Sequence, residues 1–178
     1  MALRDREVLL TRRLEQLLPQ FEWAPSKERG VTLVMSGPGS RRDVGLYLRT
    51  SRNHSSTYLA RSCQAGIPLV GWFGGLGRDE LLHSPADYWV FLLADADTGD
   101  HEFVIAPPRE LAGRLDAIHP GKDPFQMYLF ITSRHLCWEG RNLTRAQHQM
   151  VADGEFADAA RDFTPYLDNW KPLGALLP

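Results

Sequence analysis

The chain has 178 residues, 43% hydrophobic and 24% charged, with a formal net charge of −2. This balance fits one globular domain over 1–178 that buries a core without disulfides or metal, and it excludes a disordered chain or a uniformly basic nucleic-acid protein. The longest apolar runs, such as 88–94, fall far short of the roughly 20 residues that span a bilayer, so no membrane partner is expected. The charged N-terminus lacks the apolar core of a secretory leader, which points to a cytoplasmic protein.

Apolar residues at 3, 8, 9, 10, 14, 17 and 18 have helical spacing, and Pro19 closes the predicted helix. Residues 31–36 and 44–50 are β-rich runs around a Gly-Pro-Gly turn, hence a hairpin. Residues 66–84 hold five glycines and read as an irregular stretch with one helical turn. A second hairpin spans 88–106 about a polar turn holding Gly99, and Pro108 opens a helix over the next ten residues. Residues 127–133 form a further strand, buried on both faces, and a helix begins at Thr144 or Asn142 and ends at Gly154. The remaining Pro- and aromatic-rich segment is expected to wrap the surface. The order predicts an α/β (α+β) domain whose mixed central sheet of two hairpins plus one strand is flanked by helices. Its core covers about 1–133, with a helical and wrapping segment over 134–178.

Charge is unevenly placed. Residues 1–62 carry eleven Lys+Arg against six Asp+Glu, while residues 63–178 carry nine against sixteen. The basic third suits phosphate contacts through Arg41, Arg42, Arg49, Arg52, His54 and Arg61, and the acidic two-thirds suits a basic protein partner. The four carboxylates of 95–102 miss EF-hand spacing, because Gly99 is fifth rather than sixth and position twelve is Ala106, so a solvated turn is the simpler reading. Cys63 and Cys137 stand alone, and the six histidines show no helical metal pair, so no metal or cofactor is expected. Trp72, Trp89, Trp138 and Trp170 lack repeat spacing and suit core or end-sealing positions.

The element order, the stretch YLRTSRN at 47–53 and the stretch DYWVFLLADADTGDHEFVIAPPREL at 87–111 resemble the PD-(D/E)XK nuclease superfamily. The resemblance implies a restriction-endonuclease-like fold in bacterial defence or DNA processing. It places the family's acidic residue near Thr32, its Glu or Gln at Tyr47 and its Lys at Arg49. None of the three identities is kept, and Arg cannot serve as a general base. A nucleic-acid-binding pseudo-nuclease is therefore expected rather than an ordinary metal-dependent nuclease. The alternatives are a protein-interaction module (inhibitor, immunity or regulatory subunit) and an enzyme with a relocated site.

Overall fold

The computed structural model describes residues 3–37 and 43–175, and side-chain positions from residue 6 to residue 173 within them. Helix α1 (Leu3–Leu17) leads into strands β1 (Glu22–Pro25), β2 (Leu33–Ser36) and β3 (Val44–Arg52). Short helices α2 (Ser55–Tyr58) and α3 (Arg61–Gln64), strand β4 (Leu69–Leu76) and helix α4 (Arg78–Leu82) follow. Strands β5 (Tyr88–Ala94) and β6 (His101–Ala106) then lead to α5 (Pro108–Ile118), β7 (Phe125–Ile131), β8 (Cys137–Glu139), α6 (Arg145–Asp153) and α7 (Lys171–Ala175).

Five strands form a mixed sheet in the order β1-β2-β3-β5-β6, and three form a second sheet, β4-β7-β8. The two expected hairpins are present, and parallel pairing of β3 with β5 over Leu46–Arg52 joins them. The fifth strand of this sheet is β1, while the strand expected at 127–133 starts at Phe125 and belongs to the second sheet. Central strand β5 is buried on both faces, as its unbroken apolar run requires. Val90 and Leu92 face Leu10 and Leu14 of α1, together with Trp170 and Leu173. Trp89, Phe91 and Leu93 face Phe73 and Leu69 of β4 and Leu111 and Leu115 of α5. The far side of the second sheet is closed by α2, α3 and α6 around Phe130, Val70, Leu59 and Val151.

The expectation for 66–84 is corrected, since this stretch holds all of β4 and α4. Its glycines serve close packing: a Cβ on Gly71 would stand 2.6 Å from Leu93 Cγ. Helix α6 is capped as its sequence specifies, with Thr144 Oγ1 accepting from Gln147 N at 3.3 Å, Gln147 Oε1 accepting from Thr144 N at 2.9 Å, and Gly154 left-handed at φ 75°. The C-terminal segment runs along the edge of β6, where Asp168 N donates to Phe103 O at 2.8 Å.

Candidate nucleic-acid interface

On the β4 side, the side chains of β3 and the residue beyond it act as a ladder. Strand β4 pairs with β7 on one edge only, so its other edge would present bare N–H and C=O groups. Residues spaced by two meet that edge. Arg49 Nη2 donates to Gly74 O (2.6 Å), Ser51 Oγ accepts from Trp72 N (2.8 Å), and Asn53 Oδ1 accepts from Val70 N (3.1 Å). The Arg49 guanidinium also lies 5.9 Å from the Trp89 ring, and Tyr47 packs edge-on against the same ring at 4.8 Å. Thr32 sits beside them, its Oγ1 accepting from Leu48 N at 2.9 Å.

Mg²⁺ wants carboxylate oxygens in octahedral array. These three positions do not fit it: one is a hydroxyl engaged with backbone, one a packed phenol and one a cation. Arg49 thereby joins the two sheets. Arg49→Ala is expected to lower the unfolding free energy by about 1.5–3 kcal/mol, the range for a charged hydrogen bond. Urea titration checks this, and an unchanged midpoint would remove the joining role.

Beyond Arg52 the chain leaves the sheet, and an open groove follows. Arg52 is exposed, His54 precedes α2, and Arg61 is exposed at the start of α3, which packs against α2. His54, Thr57, Tyr58, Trp72 and Tyr128 line a cavity of about 290 Å³. Trp72 pairs in register with Tyr128 across β4 and β7 and is 44% exposed. Tyr58 stacks on Tyr128 with ring centres 4.3 Å apart and planes 20° from parallel. His148 of α6 stands behind Tyr58, 5.6 Å between centres.

Burial, and then the charge of Arg52, push the His54 pKa below its ordinary value, which favours a neutral ring. Burial pushes the Tyr58 phenol up, against the nearby positive charge of Arg141. Arg141 Nη1 reaches Gln126 O at 3.2 Å, on the sheet rung that pairs Gln126 with Gly74. Among the described residues, Arg52, Arg61 and Arg141 form no ion pair. Of the basic residues read from the sequence, Arg52 ends β3 on the face away from Arg49, His54 lines the aromatic cavity, Arg61 follows on α3, Arg49 is fastened between the sheets, and Arg41 and Arg42 lie outside the described residues.

Sequence reasoning missed Tyr58, Tyr128 and the exposure of Trp72. Trp89 and Trp170 are buried as expected for core positions, but Trp72 is not. It alternates with inward-facing Gly71 and Phe73, and that alternation was hidden while the stretch read as a loop.

One group able to hold a metal occurs among the described residues: Glu102, His135 and Asp168, whose ligand atoms lie within 4.8 Å of one another. Asp168 already accepts from Arg13 Nη2 (3.0 Å) and Trp170 Nε1 (3.3 Å), and His135 Nε2 faces Glu102 Oε2 at 3.3 Å. Arg13 and Asp168 thus tie α1 to the C-terminal segment by charge, while His135 links the turn between β7 and β8 to Glu102 of β6. In the 95–102 turn, Asp95 accepts from Asn53 Nδ2 (2.7 Å) and Asp97 N (2.9 Å), and these bonds hold its pKa below the usual carboxylate value. Asp97 and Asp100 are exposed. Both cysteines are free and buried. Burial, with the charges of Asp162, Glu102 and Glu139, pushes the Cys137 thiol well up and keeps it from the thiolate form that nucleophilic chemistry needs.

Comparison with family models, curated proteins and solved structures finds no match for this chain. No helix among the described residues is long and apolar enough to cross a membrane.

Proposed function

We propose that this chain is a cytoplasmic, nucleic-acid-binding pseudo-nuclease of bacterial defence or DNA processing, and that it takes single strands rather than duplexes. The carrying observation is the exposed Trp72 beside the Tyr128–Tyr58 stack, with the positive charge of Arg141 close to Tyr58 and with Arg61 three residues beyond it along the chain. Aromatic faces bind unstacked bases whatever their sequence, while guanidinium groups neutralise the backbone. A base paired inside a duplex cannot present its face to such a groove. The absence of carboxylates at Thr32 and Tyr47 supports binding without cleavage.

Fluorescence anisotropy with oligo-dT, oligo-U and a duplex of equal length, at low and physiological salt, tests this reading. Single strands are expected to bind more tightly and to lose affinity as salt rises. Trp72→Ala is expected to weaken binding roughly 5- to 150-fold, the equivalent of about 1–3 kcal/mol per stacked base. Undetectable binding of every probe at low salt, or unchanged affinity in Trp72→Ala, would overturn the reading and favour a protein-interaction module. Cleavage of any probe with Mg²⁺ present would replace binding by catalysis at a relocated site.

A further inference from the structure

The opposite face of β3 carries a second cavity, of about 370 Å³, lined mainly by Arg6 and Leu9 of α1, Thr50 and Arg52 of β3, and Leu92 and Ala94 of β5. Because β3 and β5 run parallel, their carboxyl ends open side by side here, the place where open α/β sheets take ligands. The floor is apolar and the rim is cationic. The volume suits a small organic molecule.

Two observations say what charge it accepts. Arg6 lines the cavity, and its Nη1 donates to Thr50 Oγ1, which fixes the guanidinium there. Arg52, at the end of β3, has no carboxylate partner among the described residues. The acid on this rim, Asp95, is already committed to Asn53 and the turn. The rim therefore holds two cations against one ionised carboxylate, a net positive charge, close to the amino end of a 15-residue helix that adds its own partial positive charge.

Two cations from separate elements line one cavity, which suits the double charge of a phosphate monoester better than the single charge of a carboxylate. We infer that this cavity binds a phosphate monoester carried on a small apolar body, such as a nucleoside 5′-monophosphate or the 5′-phosphorylated end of a strand. The site uses the α1 face of β3 and needs neither Trp72 nor Tyr58.

Isothermal titration of the full chain with a nucleoside 5′-monophosphate, the unphosphorylated nucleoside and inorganic phosphate tests the inference. The monophosphate is expected to bind saturably, inorganic phosphate more weakly, and the nucleoside undetectably. Arg6→Gln removes the charge while remaining a good helix former, and it is expected to weaken the monophosphate at least tenfold. Ala94→Leu fills the floor without touching a charge and should do the same. Circular dichroism establishes that each variant is folded. Trp72→Ala is expected to leave monophosphate binding unchanged, which separates this site from the aromatic groove. Competition by a 5′-phosphorylated oligonucleotide, but not by its 5′-hydroxyl form, would identify a strand end as the source. Its absence beside retained mononucleotide binding would identify the free nucleotide. No saturable binding of the monophosphate at millimolar concentration, equal binding of the nucleoside, or undiminished binding in both folded variants would overturn the inference.

Discussion

Arg161→Met is expected to lower the unfolding free energy by about 3–5 kcal/mol, because it strands a buried carboxylate. Glu139 of β8 is 0% exposed. Its Oε2 accepts from Arg161 Nη1 at 2.6 Å, and its Oε1 accepts from the backbone N–H of Tyr128 (3.2 Å) and of Arg141 (3.0 Å). The same guanidinium reaches the carbonyls of Glu139 and Arg141 at 3.1 and 2.9 Å, so it also fastens the C-terminal segment to the second sheet. His119 Nε2 stands 3.4 Å from Glu139 Oε2 without making a hydrogen bond, so the arginine is the cation bonded to this carboxylate. Thermal denaturation should show a fall of roughly 10 °C or more. Combining the change with Glu139→Gln removes the stranded charge and should recover part of the loss. A loss under about 1 kcal/mol in the single variant, or no recovery in the double, would show that this pair does not hold the segment.

Gly71→Val sets two physical effects against each other. Strand propensity alone favours valine by up to about 1 kcal/mol. Packing opposes it, since even a Cβ would meet Leu93 at 2.6 Å and the Phe73 ring at 2.9 Å, and both side chains are buried. Core overpacking typically costs about 1–3 kcal/mol, and a branched side chain stands at the upper end, so a net loss of roughly 2 kcal/mol is expected. Leu93→Ala makes room on the facing strand, and the double variant should be more stable than the sum of its two single losses predicts. A rise in the denaturation midpoint of Gly71→Val would mean that the sheets can separate without cost at this point.

Much of the fold is written in signals that need no distant partner. The spacing of apolar residues marks α1, Pro108 opens α5, and Thr144 with Gln147 and Gly154 bounds α6. The two hairpins follow from alternating β-rich runs about glycine turns. Strands β1 and β8 were missed because four and three residues are too short to carry a period. Strand β4 was missed because glycine disfavours a strand by propensity, while at Gly71 it is the sole residue small enough for the second sheet to reach the first.

The candidate site was legible in part. The sequence supplied Arg52, His54 and Arg61 as a basic cluster, since neighbours along a chain stay near one another. It did not supply their aromatic companions: Tyr58, Trp72 and Tyr128 come from three elements and meet through the pairing of β4 with β7. Nor did it distinguish Arg49, held between sheets, from Arg52, three residues on and exposed. By itself, then, the sequence determined the class of fold and most of its elements, because periodicity, caps, turns and residue identity are local. Tertiary structure decided which strands share a sheet, which arginines remain free to meet an anion, and which carboxylate is buried with its cation, because each depends on contacts between segments many residues apart.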